Sequence, residues 1–258
     1  FQSRPKISKL ENAQIRPDLA EVVTILEALN VTGRRYNRIF KLAHAAASKG
    51  WWDRYGNAMG PRQRLYADLE SGAKTIRSYN QTAIPAVLQT PEFINALIEL
   101  DQAADRVSYR PERMAEARAR RQQHLLSPNG PTYDTVLDEC VIYRLGGPRR
   151  VMSAQLRYLV KAVSDQQRIT IRVLPYNAHI VGGPPPQSTF SVYTFPSKAD
   201  SPVAVVDTVT TDIVLTARRE IAWYIEQYEL LRKAALSPAE SLTFLARAAE
   251  RLDEEEEP

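Results

Sequence analysis

The apolar periodicity of this 258-residue chain changes at residue 132, and that change decides which folds are open to it. Before residue 132 the apolar positions recur at helical spacing. After it, short β-rich runs alternate with helical stretches. Tyr133–Asp138 and Ile169–Leu174 flank a helical stretch from Arg149 to Val163. A strand, a helix and a strand predict a parallel βαβ unit. Thr189–Phe195, Val203–Val209 and Ile213–Leu215 follow, joined by short turns that favour antiparallel pairing. Two helices close the chain, Ala217–Leu236 and Pro238 to about Leu252. Ser237 is placed to cap the second, and Glu226, Glu229, Arg232 and Lys233 support the first. The expected fold class is α+β, a mixed sheet of about five strands flanked by helices, preceded by a small all-α part.

That small part occupies residues 1–50. Ser3 is a good N-cap, Pro5 sits in the first turn, and Ile7 and Leu10 share a face. Arg16-Pro17-Asp18 ends this helix and opens another, whose apolar stripe is Leu19, Val22, Val23, Ile25, Leu26 and Leu29. Asn30-Val31-Thr32-Gly33 turns the chain into a third helix, carrying Tyr36, Ile39, Phe40, Leu42 and Ala43 towards Gly50. Trp51-Trp52-Asp53-Arg54-Tyr55-Gly56 reads as a junction, with the aromatic pair anchoring one domain on the next. Beyond it Arg64–Ser71 is expected to be helical and Tyr79–Pro85 irregular, and helices open at Pro91 (to about Leu100) and Pro111 (to about Leu126). In the last of these, Arg113, Arg118, Arg120 and Arg121 read as a solvated face balanced by Glu112 and Glu116. The domains expected are thus 1–50, 51–252 and an acidic tail, 253–258, solvated and without fixed structure.

Charge points to a partner. The net charge is +4 although five acids, Asp253 to Glu257, close the chain. Within residues 1–60, Arg4, Lys6, Lys9, Arg16, Arg34, Arg35, Arg38, Lys41, Lys49 and Arg54 face five acids. Such an excess suits a polyanion. A single cysteine, Cys140, excludes a disulfide framework and a multi-cysteine zinc site, and fits a reducing cytoplasm. Ten glycines, no phosphate-loop motif and three scattered histidines (His44, His124, His179) argue against nucleotide and metal enzymes. No cofactor and no membrane partner are expected, since no apolar run approaches bilayer length.

The sharpest motif is Ser3-Arg4-Pro5-Lys6-Ile7-Ser8-Lys9-Leu10-Glu11-Asn12. It resembles the recognition helix of Xre-type helix-turn-helix proteins, with their S-x-x-x-[IV]-S-[RK]-[IL]-E pattern. In that role Ser3, Arg4 and Lys6 enter the major groove, where Arg and Lys donate to guanine. Ser8 and Lys9 reach bases or phosphates, Asn12 meets phosphate, and Ile7 and Leu10 pack inward. An ordinary capped amphipathic helix is the competing reading of the same ten residues. The resemblance implies that two further helices precede this one, and that a chain opening at Phe1 would not bind DNA specifically without them.

Later blocks resemble the large C-terminal domain of actinobacterial Xre-type regulators, often described as antitoxin-like. They are Gly50–Gly56, Tyr66–Glu70, Ile76–Tyr79, Ile84–Thr90, Val136–Glu139, Val173–Tyr176 and Leu236–Leu242. The resemblance implies a cytoplasmic, sequence-specific DNA-binding transcriptional regulator. Its partners would be duplex DNA, a small protein encoded nearby and a small-molecule effector, and it would act as a homodimer.

No catalytic constellation stands out in the large domain, so an enzyme is not expected. Asp138 and Glu139 are neighbours at a strand end and point apart. His179 lies in a loop rich in Gly and Pro, and Cys140 reads as a buried, inert thiol. Tyr133, Asp138, Tyr143, Tyr176, His179 and Tyr193 are the candidate ligand-pocket residues; Phe195 accompanies them near the sheet, and plain core is the competing role for the aromatics. Two other functions compete with the regulator: a small-molecule enzyme or binding protein that keeps the architecture without DNA binding, and a module that neutralises a partner protein.

Overall fold

A computed structural model describes residues 4–11, 18–47, 50–103, 110–197, 200–208 and 212–254. The chain divides into two compact units, Phe1–Asp53 and Arg54–Pro258.

Among its described residues the first unit holds three helices: α1 (Arg4–Glu11), α2 (Leu19–Ala28) and α3 (Gly33–Ala47). Asp18 caps α2, its carboxylate accepting from the backbone N–H groups of Ala20 at 2.8 Å and Glu21 at 3.3 Å. Asn30 and Gly33, both in the left-handed region, make the turn into α3. Lys6 on α1 is ion-paired with Glu21 on α2. The Ser3 cap lies outside the described residues.

The second unit is a mixed α/β domain. A 3-10 turn (Trp51–Met59) crosses the boundary between the units and leads to α4 (Pro61–Gly72), β1 (Thr75–Asn80), α5 (Pro91–Ala103) and α6 (Pro111–Leu126). Then come β2 (Thr132–Asp138), α7 (Glu139–Tyr143), α8 (Arg149–Asp165), β3 (Ile169–Leu174), β4 (Phe190–Thr194), β5 (Val203–Val206) and β6 (Ile213–Leu215). Helices α9 (Arg218–Ala234) and α10 (Pro238–Glu254) close the fold. The strand order is β3-β2-β1-β4-β5-β6. β1, β2 and β3 run parallel, and β4 turns antiparallel beside β1, starting an antiparallel half with β5 and β6.

The parallel β2–β3 pair and the antiparallel trio match expectation, but the sheet has six strands rather than about five. The additional strand, β1, is central. Two further expectations are corrected. The acidic run begins inside a helix: Asp253 and Glu254 belong to α10, and Asp253 pairs with Arg157. Asp138 does end its strand, as expected, and also caps α7, accepting from Cys140 N–H at 3.1 Å. The arginines of α6 are not all solvated, because Arg121 is buried.

The alternation of each strand sorts the core into two layers. Ile76, Tyr133, Leu137, Ile171, Val173, Tyr193 and Val205 face one side, packed with Leu156 and Leu159 of α8 and Leu245 of α10. Tyr79, Val136, Leu174, Phe190, Val192 and Ala204 face the other, covered by Ile221, Tyr228 and Leu231 of α9. At the open edge of β3, Val173 is paired by the α9–α10 connection and the start of α10. Val173 N–H donates to Ser241 Oγ at 2.9 Å, and Leu236 N–H donates to the Val173 carbonyl at 2.9 Å. A capping box starts α10: Glu240 N–H donates to Ser237 Oγ, and Ser237 N–H donates to Glu240 Oε2.

Candidate functional site

On the face opposite α9, a cavity of about 490 Å³ opens between the sheet, α4, α6 and the segment that follows β1. Its floor is formed by Ile76 and Asn80 of β1, Tyr133 of β2, and Ser191 and Tyr193 of β4. Arg62, Tyr66 and Glu70 are spaced by four along α4, so one helical face lines one wall. Met114, Arg118 and Arg121 share a face of α6 for the same reason and line the other. Asp207, just past β5, completes the rim.

The wall is highly charged, and its arginines are engaged by neighbouring side chains. Arg121, 4% exposed, donates from Nε to Glu70 Oε2 at 2.7 Å and from Nη2 to Glu70 Oε1 at 2.6 Å. Its Nη1 donates to Gln63, and its guanidinium lies 5.3 Å from the Tyr66 ring centre. Burial works against the Arg121 charge, but the Glu70 carboxylate outweighs it and holds the guanidinium pKa above its ordinary value. Tyr66 donates to Asp207 at 2.7 Å. Arg62 bridges Asp212 at 2.8 Å and Asp207 at 3.5 Å. Arg118 donates to Gln89 Oε1 at 2.8 Å, and Gln89 in turn donates to the Ile84 carbonyl, fixing the segment after β1.

Beneath the floor the sheet carries a polar band. Asn80 Nδ2 donates to Ser78 Oγ at 3.0 Å and to Thr135 Oγ1 at 2.9 Å, while the Ser78 hydroxyl meets the Tyr133 hydroxyl at 3.1 Å. Burial pushes the phenols of Tyr66, Tyr133 and Tyr193 well above their ordinary range. Near neutral pH they therefore act as uncharged hydrogen-bonding groups. Burial likewise raises the carboxyl pKa of Asp207, against the Tyr66 hydrogen bond that favours its charge. Among the described residues no cluster of three or more His, Cys, Asp or Glu side chains could hold a metal ion.

Of the candidate pocket residues, Tyr133 and Tyr193 reach this cavity; both are also buried core. The structure does not bring the other four to it. Asp138 caps α7 and accepts from the Tyr79 hydroxyl at 2.8 Å. Tyr143 borders a separate groove along α10, under Arg251. Tyr176 and His179 are exposed in the β3–β4 connection. Cys140 is part-buried, and its thiol donates to the Gln81 carbonyl at 2.8 Å.

In the helical unit, Arg4 and Ser8 are exposed on α1, and Lys6 carries its ion pair with Glu21. Ile7 is 36% exposed, so the inward packing expected for it is incomplete. Ser3, Asn12 and the side chain of Lys9 lie outside the described residues. Sequence reasoning missed Tyr66, Glu70, Arg121 and Asp207. Their only advance signals were the four-residue spacing on α4 and the run of arginines on α6.

The fold is that of a mixed α/β domain with a helical part before it, and its cavity is enclosed by α4, α6 and the middle of the sheet. Residues 63–247, from α4 to α10, match the family described as "Domain of unknown function (DUF5753)". The chain belongs to that family. No curated protein matches it. No helix among the described residues is long and apolar enough to cross a membrane.

Proposed function

We propose that this protein is a sequence-specific DNA-binding transcriptional regulator, antitoxin-like, whose DUF5753 domain senses an effector or a partner protein. The observation that carries the reading is α1, whose sequence resembles an Xre-type recognition helix and whose Arg4 and Ser8 side chains are exposed. Action in the cytoplasm, as a homodimer and beside a small protein encoded nearby, belongs to the same proposal.

The cavity supports the sensing half. Its size lies within the range of small-molecule pockets. The most buried arginine of its wall, Arg121, is already held by Glu70, so an anionic ligand would have to break a pair that burial makes costly to break. The fitting effector is uncharged and rich in hydrogen-bonding groups.

A second reading, a small-molecule-binding protein that does not bind DNA, draws on the Lys6–Glu21 ion pair, which engages one of the cations assigned to base reading. Genome-wide footprinting of the intact protein, followed by fluorescence anisotropy on the recovered sites, separates the two. The regulator reading expects discrete sites and a loss of roughly 1–3 kcal/mol, with relaxed specificity, on Arg4→Ala. Absence of discrete sites would overturn it in favour of the second.

A further inference from the structure

We propose that α3 is a second nucleic-acid contact, a basic stripe that grips the phosphate backbone of duplex DNA. The inference rests on the DNA-binding reading above and adds to it a surface outside the recognition-like helix.

Helix α3, Gly33–Ala47, contains no acidic residue and holds Arg34, Arg35, Arg38 and Lys41. At 3.6 residues per turn, Arg34, Arg38 and Lys41 fall within a wedge of about 60°. Tyr36, Ile39, Phe40 and Ala43 fall on the opposite side. That side is the packed one: Ala43 is buried, Tyr36, Ile39 and Phe40 are part-buried, and the Tyr36 and Phe40 rings stack at 6.1 Å. Helix α2 is its neighbour in the unit. The basic wedge is therefore held outward by the apolar face, and all four cations are exposed.

None of the four has a carboxylate partner among the described residues, whereas Lys6 pairs with Glu21 and, in the other unit, Arg62, Arg113, Arg121, Arg157 and Arg232 each pair with an acid. Like charges three and four residues apart on a helix repel, so an uncompensated row works slightly against the helix that carries it. Charge complementarity commits the row to a polyanion, and spacing suits duplex DNA. Arg34 to Lys41 spans about 10.5 Å of helix. The long side chains of that row can reach successive phosphates of one strand, each cation neutralising one.

The test uses the intact protein with Arg34→Gln, Arg38→Gln and Lys41→Gln combined, glutamine being a good helix former. Affinity is measured by anisotropy on a footprinted duplex and on a scrambled one, from about 50 to 200 mM salt. The expected result is a salt slope shallower by about 2.7, with the same fold-loss on both duplexes. A variant slope equal to wild type overturns the inference and leaves the regulator reading standing. A loss confined to the footprinted duplex makes α3 a base reader and overturns the phosphate assignment. A wild type that binds neither duplex overturns the DNA-binding reading itself, and α3 with it. The charge-retaining variant Arg34→Lys with Arg38→Lys guards against a folding defect. It should keep the wild-type slope, and a slope as shallow as the glutamine variant's would show that charge is not the cause.

Discussion

The Arg121 guanidinium and the Glu70 carboxylate meet face to face across the cavity wall, joined by two hydrogen bonds of 2.7 and 2.6 Å. They tie α6 to α4, and neither residue is more than 6% exposed. Removing one partner leaves the other charged and buried. Arg121→Ala and Glu70→Ala should each destabilise the domain by about 3–5 kcal/mol in urea titrations. Arg121→Ala combined with Glu70→Ala should cost clearly less than the two single variants added together. Simple additivity in the double-mutant cycle would mean the pair is not coupled.

Ser241 answers for one edge of the sheet. It is fully buried, accepts from Val173 N–H and donates to the Ser237 carbonyl at 2.8 Å. Ser241→Ala strands a buried backbone donor, which should cost about 1–3 kcal/mol. Amide hydrogen exchange at Val173 should quicken by more than the global loss explains. Uniform acceleration across β3 would argue that the hydroxyl does not protect that edge locally.

Cys140 offers a pH-dependent readout free of ambiguity, because the chain has no other cysteine. Burial, then the hydrogen bond and charge of Asp138, push its thiol up to about 11. The thiolate is the disfavoured form, so alkylation should stay slow through mildly alkaline pH and accelerate only as pH approaches that value. Asp138→Asn keeps a capping side chain but removes the negative charge. The thiol pKa should then fall, and iodoacetamide should react faster at a fixed pH near 9. An unchanged rate profile would show that Asp138 does not control the thiol.

Gly130 is confined by its neighbours. A Cβ there would stand 2.5 Å from the carbonyl oxygens of His124 and Leu125, at the end of α6. Backbone atoms cannot step aside as a flexible side chain can. Gly130→Ala should therefore destabilise by about 1–3 kcal/mol. Thermal unfolding at wild-type temperature would contradict the confinement.

The contrast between β2 and β1 shows what the sequence could and could not convey. Tyr133–Asp138 reads as a strand because its apolar residues are β-branched, aromatic or aliphatic, and a long helical stretch before Ile169–Leu174 forces parallel pairing. β1 reads Thr-Ile-Arg-Ser-Tyr-Asn. Its core-facing side is polar at Ser78 and Asn80 because those positions underlie the cavity, so the alternation that marks a half-buried strand is missing. The cavity thus hid the strand beneath it. The cavity was illegible for a related reason. Tyr66, Arg121 and Asp207 lie on three elements far apart in the chain, and no local pattern records that the sheet brings them together. Helix α6 shows both sides: Pro111 marks its start, while the burial of Arg121 depends on Glu70, fifty-one residues away.

The central place of β1 also sets a timetable for biosynthesis. Thr75 meets Thr194 across the sheet, and 119 residues separate them. At about 5–20 residues per second, the ribosome needs roughly 6–24 s to deliver β4 after β1 has been made. During that interval the middle strand of the future sheet has at most its β2 neighbour, and its β4-facing row of backbone donors and acceptors stays open to any extended chain nearby. The nascent domain is therefore most exposed to mispairing before its antiparallel half emerges, which makes the wait for β4 the step at which a holding chaperone would matter most.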